Sequence, residues 1–231
     1  MMMRVSRSIR ARSSACGGQE GVTLVELLVV MMLMVVVMGA VFTVWTRLEH
    51  TYLFTEDDMR AQEQARMAMG EMVEFIRTAR VPASVVSETL DTPIPKATPE
   101  EIWIWTDTDR DAAHSLELVR FYLSTVGTNS YLLRQESPNK DGSFTATAVR
   151  VVNENIRNDP PGTALASLTK PLFKYYDSVG SQLAHNATTR SVDVTQIRAI
   201  RIHLMVDIDP DRAPVVHELT SVVQPRNLRT Y

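Results

Sequence analysis

Residues 21–45, GVTLVELLVVMMLMVVVMGAVFTVW, decide how the chain is read. The run is apolar almost without interruption, and its single acid, Glu26, stands five residues in. From Leu27 to Thr46 there are 20 residues without a charge. At a rise of about 1.5 Å per residue they span roughly 30 Å, the thickness of a bilayer's hydrocarbon core. An ionised carboxylate in hydrocarbon costs several kcal/mol, so Glu26 needs a partner or an interface.

The flanks of the run orient it. Arg4, Arg7, Arg10 and Arg12 precede it, whereas Glu49, Glu56, Asp57 and Asp58 follow with only Arg47 and Arg60 among them. Basic residues next to a span mark its cytoplasmic side, which predicts a cytoplasmic N-terminus and an exported C-terminal portion. The formal charge is −3, and without the first 21 residues it is −6, from 20 basic and 26 acidic residues. That balance lacks a general nucleic-acid footprint. The one cysteine, Cys16, lies before the span, so the exported portion has no internal disulfide. No apolar stretch precedes Cys16, so it does not fit a lipid-attachment site.

A secretory signal places its small residues after the apolar stretch, but here Cys16-Gly17-Gly18-Gln19-Glu20-Gly21 comes first. Cleavage at Gly21 would keep the hydrophobic helix. Gly21-Val22-Thr23-Leu24-Val25-Glu26, followed by that helix, resembles the processing site of type IV prepilins and type II secretion pseudopilins. The resemblance implies that a membrane peptidase cuts after Gly21 and N-methylates Val22, where the family usually has Phe. It also implies that Glu26 pairs with the new amine of a neighbouring subunit and sets the stagger between helices. A buried carboxylate paired with an amine is tolerable where a lone one is not. Many major pilins carry proline where this chain has Thr43, and its absence leaves Gly39 as the weak point of the helix.

No proline occurs between Met1 and Pro82. In residues 55–82 apolar side chains recur at Met59, Ala65, Met69, Met72, Val73, Ile76 and Ala79, near the spacing of one helical face. A helix from Thr23 to Arg80 is predicted, roughly 85 Å long if unbroken, with Thr55 either capping a second helix or lying inside one. Its methionine stripe is expected to pack on its own domain, with a promiscuous binding face as the alternative.

Beyond residue 83 the period shortens. Strands are expected at 102–106, 116–125, 130–135, 144–152, 172–178, 197–208 and 215–223, with turns at Asn139–Gly142, Asp159–Gly162 and Asp177–Gly180. An antiparallel sheet covered on one face by the helix fits this pattern. FKYYDSVGSQL and the closing HELTSVVQPRN resemble the C-terminal regions of J-type pseudopilins and W-type minor pilins. The expected fold class is therefore α+β and pilin-like, a long N-terminal helix packed on an antiparallel sheet domain. The expected divisions are a cleaved leader (1–21), a transmembrane or filament-core helix (22–46), its amphipathic continuation (47–80) and an exported β-rich domain (81–231).

Other motifs are weaker. Asp207, Asp209, Asp211 and Glu218 fall at positions 1, 3, 5 and 12 of a calcium loop, but Arg212 replaces the glycine of the sharp turn. Asp107, Asp109 and Asp111 repeat the alternation without a closing acid. Solvated hairpin turns are the expectation at both places, with calcium as the alternative at each. Ser167 and Lys170 have serine–lysine spacing without companion motifs. His50, His114, His185, His203 and His217 show no paired metal-ligand spacing. No enzyme and no cofactor is expected. The sequence reads as a minor pilin or pseudopilin that initiates or caps a type IV pilus or type II secretion pseudopilus, with a prepilin peptidase and other pilin subunits as partners. The competing reading is an uncleaved single-pass anchor bearing an exported binding or sensing domain.

Overall fold

The computed structural model describes residues 21–82, 90–108, 115–144, 149–207 and 216–226. They form one α-helix, α1 (Leu24–Thr78), and eight strands: β1 (Lys96–Ala97), β2 (Glu101–Thr106), β3 (Glu117–Val126), β4 (Asn129–Ser137), β5 (Val149–Asn153), β6 (Phe173–Tyr176), β7 (Ala199–Val206) and β8 (His217–Val223). The chain divides into two compact units, the first ending at Leu53 and the second beginning at Phe54.

In the first unit α1 starts behind Thr23, whose hydroxyl accepts a hydrogen bond from the Glu26 amide at 3.2 Å. That bond satisfies one of the N–H groups a helix start leaves open. Thr43 returns its hydroxyl to the Gly39 carbonyl at 2.8 Å, so the turn that carries Gly39 gains a side-chain bond. The helix is continuous, and Thr55 lies inside it rather than capping a second one. It ends at Thr78, four residues before Pro82.

In the second unit Ala61, Ala65, Ala68, Met69, Met72 and Ile76 form the buried stripe of α1. The three alanines let the helix axis come close to the sheets, and the longer side chains fill the space beyond them. Met59, expected on this stripe, is instead 65% exposed. At about 100° per residue Met59 lies roughly 125° from the centre of that stripe, whereas Asp58 falls on it and Gln62 beside it, where both meet His217. Ala65, Met69, Met72, Ile76 and Ala79 are buried and Val73 is packed against them, as the spacing predicts.

The sheet differs from the expectation. The strands form two antiparallel sheets, five in the order β1-β2-β3-β4-β5 and three in the order β6-β7-β8. All seven anticipated strands have a counterpart, although residues 145–148 of the fourth and 208 and 215 of the last two lie outside the described residues. β1 was not anticipated, because two residues carry no period. Ile102 and Ile104 of β2, Val119, Phe121 and Leu123 of β3, and Ile200, Ile202, Leu204 and Val206 of β7 join the helix in one core. Each such aliphatic side chain contributes about 1.5–3 kcal/mol on burial. Phe75 of the helix packs on Phe121 with ring centroids 5.7 Å apart. On the other face of β2, Trp105 packs with Leu90 and Leu118 in a small second core, and its indole N–H donates to the Leu90 carbonyl at 2.9 Å.

The turns follow their residues. β3 and β4 are joined by Gly127-Thr128, with Gly127 at φ 64°, a conformation suited to a two-residue hairpin. Gly142 has φ 80°, and a Cβ there would lie 3.1 Å from the Trp103 ring, so the Asn139–Gly142 turn needs glycine twice over. Between the sheets the chain is stitched at Ile156. Its amide donates to the Ser130 carbonyl at 3.0 Å, and it bridges to Val206 of β7.

Candidate assembly site

The first unit presents one feature with chemistry, the start of α1. Gly21, Val22 and Thr23 precede the helix, and Glu26 lies in its first turn. A carboxylate in a first turn lies in the positive end of the helix dipole, which stabilises negative charge by about 0.3–1 kcal/mol. Thr23 and Glu26 together form a Thr-x-x-Glu capping pattern, of which the Thr23 half is made. Sequence reading passed over Thr23, although the Thr-to-Glu spacing was the signal that could have found it. From Leu24 to Leu53 the large apolar side chains of the helix are exposed, Leu24 at 79%, as is Val22 just before it at 67%. Its length and composition suffice to cross a membrane. An exposed apolar surface of this extent marks contact with lipid or with other protein.

The second unit brings the remaining candidates to ordinary structural contacts. Asp207 lies 3.4 Å from the Arg157 guanidinium and Glu218 lies 2.7 Å from His203 Nε2, so one of the four acids weighed for calcium faces a guanidinium and another an imidazole. Asp209 and Asp211 lie outside the described residues, as do Asp109, Asp111 and His114. Asp107 is within 3.8 Å of Arg80. His217 binds Asp58 and meets Gln62 at 3.3 Å, which ties β8 to α1. Ser167 ends a short 3₁₀ turn, Leu165–Ser167, rather than heading an α-helix as serine–lysine chemistry would need. No group of three potential metal-binding side chains occurs among the described residues.

Tyr175, His185, Asp193 and Arg190 are displaced from their ordinary titration ranges, Arg190 upward through its hydrogen bonds to Glu100. Burial raises the Tyr175 hydroxyl well above its usual value, reinforced by Glu100 and Glu101. The hydroxyl stays protonated and donates to the Thr98 carbonyl at 2.8 Å. Burial also lowers His185, opposed by Glu100 and assisted by Arg190. Asp193 is lowered by hydrogen bonds from Thr195 and Gln196. Arg190 grips Glu100 through two bonds, of 2.9 and 3.0 Å, and reaches the Thr163 carbonyl at 2.7 Å. Sequence reading missed this clasp because its members are 90 residues apart.

Residues 16–42 match the family model described as the prokaryotic N-terminal methylation motif. The chain carries a prepilin-type N-terminal signal. The matched stretch includes Gly21, Val22 and Glu26 and runs into the exposed apolar part of α1. No curated protein matches the chain. The prepilin-type signal joined to α1 and two antiparallel sheets gives an α+β, pilin-like arrangement.

Proposed function

We propose that the protein is a minor pilin or minor pseudopilin, a structural subunit that helps initiate or cap a type IV pilus or type II secretion pseudopilus. One observation carries the reading. The methylation motif is joined to an exposed apolar helix whose first turn holds one acid, Glu26. Such a helix needs hydrocarbon around it before assembly and other helices around it afterwards.

In this reading a prepilin peptidase and methyltransferase removes residues 1–21 on the cytoplasmic side of the inner membrane and methylates Val22. The new amine of one subunit and Glu26 of another then neutralise each other in the filament core, which fixes the axial stagger. Residues 22–46 supply the core helix, 47–80 its amphipathic continuation and 81–231 the exported domain that meets other subunits. The role is mechanical, with no enzymatic step and no cofactor. Calcium at Asp207 is disfavoured by its Arg157 partner, and Glu218 is already engaged with His203.

The test is the intact mass and N-terminal peptide of the membrane-expressed chain, with and without a prepilin peptidase. A chain that begins at Val22 only when the peptidase is present supports the reading. A chain that keeps its leader in both cases overturns it in favour of an uncleaved anchor.

A further inference from the structure

The two sheets have four edges, and three are closed or blunted. β1 is two residues long. β5 carries Arg150, 63% exposed, and a register shift against β4 at Leu132/Leu133. The far side of β6 is occupied, since the Tyr175 carbonyl accepts from the Leu183 amide at 2.9 Å and the Phe173 amide donates to the Pro99 carbonyl at 3.0 Å. Short length, bulges, charge and cover are the devices by which proteins keep sheet edges from pairing.

β8 is neither short nor bulged, no backbone cover occurs among the described residues, and its one acidic or basic residue apart from His217 is Glu218. It pairs with β7 over seven consecutive residues without a bulge and contains no proline, glycine or lysine. The direction of its free groups follows from β7. His203 and Met205 turn their backbone groups away from β8, since the His203 amide donates to Leu172 and the Met205 carbonyl accepts from Arg157. Ile200, Ile202, Leu204 and Val206 therefore face β8, where their partners are Val223, Ser221, Leu219 and His217. By the alternation of antiparallel ladders, Glu218, Thr220 and Val222 point their N–H and C=O groups to the open edge. No backbone bond engages them there among the described residues.

The geometry points to β8 as the docking edge for an extended strand from a different exported subunit of the same filament, an inference that rests on the filament reading above. A second copy of this chain fits poorly. Its other edges are closed or blunted, and a two-fold axis pairing β8 antiparallel with itself stands normal to the sheet and reverses the helix packed on it. Two chains anchored in one membrane need their helices to run the same way. The incoming strand bonds to three N–H and three C=O groups, and a basic side chain across from Glu218, whose side chain is 59% exposed, completes the match.

The experiment compares amide exchange over residues 217–223 in the isolated full chain, in filaments sheared from producing cells, and in the same preparations of Thr220→Pro and Thr220→Val. Proline removes an edge N–H without touching the β7 ladder, and valine keeps it. We expect the Glu218, Thr220 and Val222 amides to slow by about tenfold or more in filaments, and the wild-type and Thr220→Val chains to incorporate alike while Thr220→Pro is lost. Edge amides that exchange equally fast in filaments and in the isolated chain overturn the proposal. So does protection already present in the isolated chain, whether from its own residues or from self-association. A chain that is never trimmed at Gly21 refutes the filament reading itself, and with it this inference.

Discussion

Met72→Ala and Met59→Ala make the same chemical change on the same helix, and the structure assigns them opposite outcomes. Met72 has no exposed surface and lies in the main core, whereas Met59 is 65% exposed. Truncating a buried methionine to alanine costs about 2–5 kcal/mol, from lost transfer energy and the cavity left behind. The slight helix preference for alanine over methionine offsets only a few tenths of that. For a unit of this size each kcal/mol moves the melting temperature by about 2–4 °C, so a loss near 3 kcal/mol lowers Tm by about 6–12 °C. Met59→Ala should stay within about 0.5 kcal/mol of the parent, or about 2 °C. Near-ultraviolet circular dichroism of the detergent-solubilised full chain follows Trp103 and Trp105, which lie in the second unit. A Met72→Ala melt within 2 °C of the parent, or a Met59→Ala melt lowered as far as Met72→Ala is expected to be, would refute the assignment of the buried stripe.

Glu26→Ala should leave insertion and processing intact while reducing incorporation into filaments by at least about tenfold, the effect of losing about 1.4 kcal/mol of pairing, as read by immunoblot of sheared filaments. Undiminished incorporation would contradict the role given to the carboxylate. Gly21→Leu should block trimming, and a shortened product seen by mass spectrometry would place the cut elsewhere. His185 binds a proton less readily when folded because it is buried. The unfolded chain therefore takes up that proton first as pH falls below about 6.5, so this site contributes its full stability above that value and loses it towards acid. Urea melts between pH 5 and 7.5 should show a smaller acid loss in His185→Gln than in the parent, and identical pH slopes would exclude the effect.

The helix and most strands were legible because each announces itself locally. An uncharged run, the absence of proline before Pro82 and the two-residue alternation of IWIWT or IRIHL need no knowledge of distant residues. The division into two sheets was not legible. It depends on where β5 ends and the chain crosses at Ile156, a contact with Ser130 and Val206 that no local pattern encodes. Met59 was misassigned for a different reason, since it is apolar but lies off the angular centre of the stripe that Ala61, Ala65, Met72 and Ile76 define. The methylation motif of residues 16–42 was legible because its residues are consecutive, whereas the Glu100–Arg190 clasp and the His217–Asp58 tie join residues far apart in sequence.

The crossing at Ile156 makes the two sheets one cooperative element. Its neighbour Asn158 donates its side-chain amide to the His203 and Lys170 carbonyls at 2.7 and 3.1 Å and accepts from the Met205 amide at 3.0 Å, standing in for a missing strand beside β7. The segment therefore belongs to both ladders at once, and neither sheet can open at this end without freeing backbone groups in the other. The domain should unravel in a single transition rather than sheet by sheet. A load applied through the helix would then meet the resistance of both sheets together.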